Sequence, residues 1–471
     1  MTAFPRIILA GLSGGSGKTF VSAGLMRALS RRGLSVQPFK KGPDYIDASW
    51  LSHAAKAQAC NLDPFLLPQA VIAALFQEKA AHADLSIIEG NRGLFDGKDR
   101  EGTCSTAELA RQLSAPVILV LDATKMTRTA AAIVAGCRAF EPGLNLAGVI
   151  LNRTAGERHR NILKECIEGL AGVPVLGALP KAVHNPIPER HMGLVSDQEH
   201  AGREQALDAI ADTVAACVDL DRVLAIARSA PAPDPAPPVP WPAPVVAAGQ
   251  APVIGYVYDA ALWFYYPENL QALEHAGAKL TRLSLLSDEP WPEIHGLYLG
   301  GGFPETHAKA LSANTLVRAH VRALAQAGLP IYAECGGFMY LCASLAIDQN
   351  GDNGEHALAG VFPLTTRLCP RPQGLGYVEA LVEAENPFHP LGAHLTGHEF
   401  HYSACMEQSG QTQNLPTALR MLRGQGMLGK RDGLVTANTF AAYTHIHALG
   451  TPHWAPSFVR AALAHQQHKG Q

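Results

Sequence analysis

The stretch Gly11-Leu12-Ser13-Gly14-Gly15-Ser16-Gly17-Lys18-Thr19 constrains this chain more than any other. It follows the apolar run Ile7-Ile8-Leu9-Ala10 and precedes a helical-looking segment, Phe20 to Arg31, so it stands where a strand hands over to a helix. Glycine-rich backbone at such a junction turns successive N–H groups onto a polyanion, and the helix N-terminus adds partial positive charge. Gly14, Gly15, Ser16 and Gly17 are therefore the expected cradle for the phosphates of ATP, with Lys18 reaching the β/γ-phosphates and Thr19 offering its hydroxyl to Mg²⁺. The spacing departs from the usual loop by one residue: Leu12 stands five before Gly17, and Gly11 six before. A glycine-rich turn with a chance Lys-Thr is the plain alternative, and the register of strand, Gly-Lys-Thr and helix argues against it.

A chain of 471 residues exceeds one ordinary core, which suggests two to four domains. An apolar share of 47% and a charged share of 17% describe a soluble globular protein. A formal charge of −3 argues against a nucleic acid as main partner, since such binding runs on basic patches. No apolar run approaches the ~18 residues of a membrane span, and the N-terminal run, broken by Gly11, lacks a signal-peptide layout. A cytoplasmic protein with no membrane partner is expected. Nine scattered cysteines without C-x-x-C spacing read as reduced thiols.

Along the N-terminal half, Lys40-Lys41-Gly42-Pro43-Asp44-Tyr45-Ile46-Asp47 sets two lysines and two carboxylates at a strand's end, able to hold both a phosphate and its metal; a charged solvent loop is the plain reading. The strand Leu85-Ser86-Ile87-Ile88 ends in Glu89, where a phosphate-loop protein places a second Mg²⁺ carboxylate, and Asp96 follows in the same short loop. Two more apolar runs, Val117 to Leu121 and Leu146 to Leu151, alternate with helical segments as parallel strands do. The second ends in Asn152-Arg153, either a base-recognition amide or a turn asparagine. Another strand, Val173 to Pro180, precedes Glu189-Arg190-His191, whose Arg-His pair suits an anionic ligand. Between Ser229 and Pro252 the composition turns to Pro-Ala repeats, which read as a stiff extended spacer between a domain at 1–228 and another at 253–471.

The second unit is also α/β. It starts at Val253 to Val257, continues through a helix from Pro267 to Ala276 stopped at Gly277, and runs Gly296 to Leu299 into Gly300-Gly301-Gly302-Phe303-Pro304-Glu305. In Pro330-Ile331-Tyr332-Ala333-Glu334-Cys335-Gly336-Gly337 a strand runs into a cysteine, two glycines follow, and a helix begins. This is a nucleophile elbow: small neighbours tolerate the sharp turn, and the helix N-terminus is expected to lower the thiol pKa and supply oxyanion N–H groups. The thiol needs a base. His445 and His447 lie on one side of an extended segment, so His445 could pair with Cys335 and His447 orient it, or the reverse. Gly397-His398-Glu399-Phe400-His401 is one residue short of a zinc signature and reads as a strand that sends its two histidines to opposite faces, so no metal is expected there.

Taken together, the G-x5-G-K-T loop, Lys41-Gly-Pro-Asp44-Tyr-Ile-Asp47, Asn61-Leu-Asp63, Glu89-Gly through Asp96-Gly97, Leu151-Asn152-Arg153, Glu189-Arg190-His191, Gly301-Gly302-Phe303-Pro304-Glu305 and Glu334-Cys335-Gly336-Gly337 resemble the cobyrinic acid a,c-diamide synthase family over nearly the whole chain outside the proline segment. The resemblance implies a P-loop parallel-sheet amidoligase joined to an α/β class I glutamine amidotransferase of the variant type. The common type has His-x-Glu where this chain has His445-Ile446-His447, which favours a Cys335–His445 dyad. It implies oxyanion donors at Gly301 or Gly302, nucleotide contacts that include Lys41 and Asn152, and Mg²⁺ at Thr19, Glu89 and Asp44 or Asp63. Asp44, Asp47 and Asp96 are placed nearest the substrate chemistry. The implied reaction is ATP- and glutamine-dependent amidation of two corrinoid carboxylates through an acyl phosphate, with an enclosed route for ammonia. Hydrogenobyrinic acid and nickel sirohydrochlorin are the neighbouring substrates, a homodimer is a family expectation, and a partner-binding ATPase switch is the rival from another class.

Overall fold

Unbroken apolar strands need cover on both faces, and the N-terminal half of the chain provides it. The structure is a computed structural model that describes residues 4–181, 186–187, 189–190, 193–194, 200, 202–247, 249–349, 352–406 and 416–469. It divides into two compact units, Met1–Val239 and Pro240–Gln471.

In the first unit the described strands are β1 (Arg6–Gly11), β2 (Val36–Lys41), β3 (Cys60–Leu62), β4 (Leu85–Glu89), β5 (Val117–Asp122), β6 (Leu146–Thr154) and β7 (Val175–Pro180). They form one parallel sheet in the order β3-β2-β4-β1-β5-β6-β7. Val117 to Leu121 and Ile7 to Leu9 are fully buried, which accounts for their uninterrupted hydrophobicity. The chain leaves β1 towards β2 on one side and leaves β4 towards β5 on the other. The crevice beyond the carboxyl ends of β1 and β4 is thus the switch point where ligands of open α/β sheets bind. Helix α1 (Lys18–Arg31) starts at the end of β1, and α2 (Tyr45–Ala55) starts just beyond β2, with Asp44 as its N-cap. The nearly buried Arg27 of α1 pairs with Glu204 and Asp208 of the helix Arg203–Cys217, at 2.5 and 2.8 Å, pinning that helix across the sheet's face.

In the second unit the described residues form a ten-stranded mixed sheet. Strands Lys279–Leu283, Val253–Val257, Gly296–Leu299, Ile331–Glu334 and Thr439–Ala442 run parallel; Arg431–Thr436, Thr417–Arg423, Gly374–Val382, His394–His401 and His445–Ile446 follow antiparallel. The expected helix is Pro267–His275, ended by Gly277 at φ 106°. No helix among the described residues is long and apolar enough to cross a membrane.

The proline-rich segment differs from a free spacer. Its carbonyls accept hydrogen bonds although prolines cannot donate them: Arg6 Nη2 donates to Pro231 O at 2.8 Å and Gln77 Nε2 to Asp234 O at 2.7 Å. Further along, Trp241 stacks on His275 with ring centroids 4.9 Å apart, and Val245 N donates to Ala276 O at 2.9 Å. One part of the segment is laid on the first unit and the other on the second.

Candidate active sites

Beyond β1 the loop adopts the conformation its glycines permit. Gly17, at φ 87°, sits where a β-carbon would come within 2.1 Å of Asn152 Nδ2. Lys18 Nζ donates to Ser13 O and to Arg92 O, both at 2.9 Å, so its ammonium lies across the mouth of the loop. Burial lowers its pKa, with Glu89 opposing that shift. Ser16 Oγ is buried with no hydrogen-bond partner among the described residues. A cradle that a β-carbon would fill, an ammonium resting on carbonyls and an unsatisfied hydroxyl fit a nucleotide polyphosphate. Replacing Gly17 with alanine is expected to cost about 1–3 kcal/mol of backbone strain and to push Asn152 off the loop. A thermal melt and a fluorescent-nucleotide titration should both register the loss.

Asn152 lies at the tip of β6, where its Nδ2 donates to Ser16 O at 3.0 Å and its Oδ1 accepts from Arg153 N at 2.9 Å. The amide expected to read a base is thus tied to the loop carbonyl. Asp96 Oδ2 accepts from Gly93 N at 2.9 Å, and its side chain joins Arg92, Phe95 and Phe140 around an open cavity of about 700 Å³. Phe95 and Phe140 pack ring to ring at 4.8 Å, and Phe140 is 68% exposed. His191 and the Arg190 side chain lie outside the described residues.

Between β2 and β4 lies a carboxylate–lysine cluster. The parallel register sets Lys40 beside Glu89, and Lys40 Nζ reaches both Glu89 Oε1 and Asp47 Oδ2 at 2.7 Å. Thr19 Oγ1 donates to the same Glu89 oxygen at 3.0 Å. Burial works to raise Asp47, and the Lys40 ammonium overcomes it, holding that carboxyl below its ordinary range. Asp44 is pushed up to about 7 by burial and by the neighbouring Asp47 charge. Its Oδ1 caps α2 by accepting from Asp47 N at 2.9 Å. Glu89 Oε2 is buried with no hydrogen-bond partner of ordinary geometry. Thr19, Glu89 and Asp44 supply the hard oxygen donors that Mg²⁺ prefers.

Asp63 and Lys41 lie apart from the cluster of Thr19, Glu89 and Lys40. Asp63 follows β3, two strand spacings or roughly 10 Å from β4. Its Oδ1 accepts from Phe65 N and Leu66 N, so it caps a turn instead of facing Thr19 and Glu89. Lys41 alternates to the other face of β2, where it is buried near Asp63 and has its pKa lowered by burial. Lys40, its neighbour, is the lysine within the cluster.

In the second unit the strand Ile331–Glu334 delivers Cys335 into a turn at φ 47°, ψ −101°, a conformation that L-residues hold only under strain. Cys335 N donates to Ala442 O at 2.7 Å, and Sγ lies 3.9 Å from Phe400 O. A β-carbon on Gly336 would come within 2.9 Å of Gly302 N, and one on Gly301 within 2.5 Å of His445 Cε1. The Gly301-Gly302 pair is therefore wedged between the elbow and the imidazole, held by its antiparallel ladder with Leu262–Phe264. The expected lowering of the thiol pKa does not hold: burial of Cys335 pushes it up, and the six-residue helix Gly336–Leu341 does not offset that. A base must therefore take the proton.

His445 is the histidine at the elbow. Its Nδ1 lies 3.2 Å from Glu334 Oε2, and its ring stacks on that of His398, its cross-strand partner, at 4.8 Å. His447 does not orient His445. The strand ends at Ile446, and His447 Nε2 turns to Glu268 Oε2 at 3.6 Å. His398 and His401 do face apart along their strand: His398 meets Tyr266 Oη at 2.9 Å, and His401 stacks on Tyr443 at 3.6 Å. Burial holds His398 well below the usual histidine range. Glu334 is the site residue that sequence reasoning left without a role, and Lys40 was read only as one of a pair with Lys41.

Residues 7–195 match the CobQ/CobB/MinD/ParA nucleotide binding domain, and residues 253–453 the CobB/CobQ-like glutamine amidotransferase domain. Relatives match over nearly the whole chain. The chain is 42% identical to the cobyrinate a,c-diamide synthase of Magnetococcus marinus over 97% of both chains. It is 41% identical to that of Syntrophotalea carbinolica, over 97% of this chain and 98% of the relative. Against the Salmonella typhimurium protein of the same name the figure is 39%, over 97% of each. A phosphate loop and an elbow cysteine in one polypeptide, matched end to end at this identity, place the chain in the cobyrinate a,c-diamide synthase family of enzymes.

Proposed function

We propose that the protein amidates the a and c acetate carboxylates of cobyrinic acid, spending ATP and taking nitrogen from glutamine in cobalamin biosynthesis. The observation that carries this reading is the elbow at Cys335, strained, glycine-flanked and backed by His445, in the same chain as the Lys18 loop. His445 Nε2 takes the Cys335 proton, and the thiolate attacks the side-chain amide of glutamine. The N–H groups of Gly301 or Gly302 and of the elbow stabilise the oxyanion. The protonated imidazole passes its proton to the departing ammonia, and water hydrolyses the thioester to glutamate.

In the first unit, Gly14 to Gly17 and Lys18 hold the ATP phosphates for in-line attack by a substrate carboxylate. A carboxylate oxygen is a poor leaving group, and phosphorylation to an acyl phosphate gives ammonia a displaceable one. Thr19, Glu89 and Asp44 would hold Mg²⁺, which when bound would supply positive charge against the phosphate oxygens. Lys40 bridges Glu89 and Asp47 and offsets their mutual repulsion, and Asp96 lies at the wall of the cavity through which the macrocycle's acetate arm approaches. The test is a product scan by mass spectrometry with cobyrinic acid, hydrogenobyrinic acid and nickel sirohydrochlorin, each with ATP, Mg²⁺ and glutamine. Preferred double amidation of cobyrinic acid supports the reading; preference for either other macrocycle overturns the substrate.

A further inference from the structure

The position that holds glutamate in the common class I site, two residues after the base, is filled here by His447, which faces Glu268. We infer that Glu334, the residue immediately before the nucleophile, is the positioning carboxylate of the glutaminase site, holding His445 through Nδ1 so that Nε2 faces Cys335. The inference rests on the reading of Cys335 and His445 as nucleophile and base.

The topology explains how a residue next to the nucleophile reaches the base. Strand Ile331–Glu334 pairs in parallel with Thr439–Ala442, Glu334 opposite Ala442, so the strand that leads to His445 runs beside Glu334. Asp432 folds the chain after Ala442 by accepting from Tyr443 N and Thr444 N, both at 3.0 Å, and from Thr444 Oγ1 at 2.7 Å. His445 then lies over the strand tip, with its Nδ1 3.2 Å from Glu334 Oε2. The carboxylate is itself held: Oε1 accepts from Ile446 N at 3.3 Å, and Tyr298 Oη donates to Oε2 at 3.3 Å. Asn269 steadies both contacts, donating to Tyr298 Oη at 3.2 Å and to Ile446 O at 3.0 Å. Glu334 and His445 are each no more than 2% exposed.

Three other buried carboxylates lie around this site, and each is engaged elsewhere. Glu268 faces His447, Glu399 accepts from Gln425 N and Gly426 N, and Asp432 holds the turn at Tyr443 and Thr444. A carboxylate at Nδ1 fixes the tautomer whose Nε2 lone pair can accept the thiol proton, and it stabilises the imidazolium formed when that proton moves. Because burial raises the Cys335 thiol, proton transfer depends on that stabilisation.

The experiment compares steady-state glutaminase kinetics of wild type, Glu334→Gln, Glu334→Asp and Cys335→Ala, with ammonia-dependent amidation measured on each preparation. Glu334→Gln keeps the side chain's size and an acceptor for Ile446 N but presents the wrong partner to Nδ1–H. Its glutaminase kcat should fall roughly 10²–10⁴-fold with the glutamine KM within about threefold and ammonia-dependent amidation retained. Glu334→Asp should recover at least about tenfold over the glutamine variant, because it restores the charge with a shorter reach. Glu334→Gln within threefold of the wild-type kcat, or Glu334→Asp no better than Glu334→Gln, would overturn the inference. If Glu334→Gln loses ammonia-dependent amidation as well, Glu334→Asp decides: glutaminase activity at unchanged KM with ammonia-dependent amidation retained supports the positioning role, and loss of both activities there too refutes it. An active Cys335→Ala would instead remove the reading of the nucleophile on which the inference stands.

Discussion

Replacing Cys335 with alanine is expected to lower glutamine-dependent amidation by about 10³-fold or more while ammonia-dependent amidation continues at the wild-type rate. The size follows from the chemistry. Without the thiol there is no thioester, and neither His445 nor the Gly301-Gly302 backbone can release ammonia from an amide without an attacking group. The selectivity follows from the fold. Cys335 belongs to the second compact unit, whereas the loop, Lys18 and the Glu89 cluster belong to the first. The backbone should tolerate the change, because alanine relieves none of the elbow's partners: Cys335 N still bonds Ala442 O, and the flanking glycines still pack on Gly300 and Gly302. Paired assays with glutamine and with an ammonium salt check it. Equal loss with both nitrogen sources would mean that the elbow is structural.

Replacing Lys18 with alanine produces the mirror image. Amidation from either nitrogen source should fall roughly 10²–10³-fold, the scale for removing one fixed cationic donor from a charge-stabilising site. The ammonium lies within the loop on Ser13 O and Arg92 O, two carbonyls it would trade for phosphate oxygens. Glutaminase activity of the second unit should survive in the same variant, measured as glutamate release. Retained amidation would contradict the assignment of the loop, whose spacing departs by one residue from the usual form. Together the two variants divide one overall reaction between two sites.

Much of the first unit was legible in its sequence because parallel strands buried on both faces leave unbroken apolar runs. The loop stood at the end of the first of them, and Glu89 ends β4, the strand beside it. Lys40 and Lys41 were indistinguishable as neighbours in sequence. Strand alternation and the register with Glu89 put Lys40 into the cluster and turned Lys41 away. Asp63 misled because its motif places it near Asp44 in sequence, while the strand order moves its tip outward to the sheet's edge.

In the second unit the elbow was readable, as strand, cysteine and glycines are contiguous. Glu334 was not. Its partner His445 lies 111 residues away, and the register of two parallel strands, a turn made by Asp432 and a tyrosine-held carboxylate together create the contact. The thiol's raised pKa was equally hidden, since a short helix and a buried strand tip compete at Cys335 and burial prevails.

The most direct test is mass spectrometry of cobyrinic acid incubated with the protein, Mg²⁺, ATP and amide-¹⁵N glutamine. The account predicts a product carrying two ¹⁵N amides, formed only when ATP is present. Confirmed nucleotide binding and glutamine hydrolysis with no amidated cobyrinic acid would contradict it.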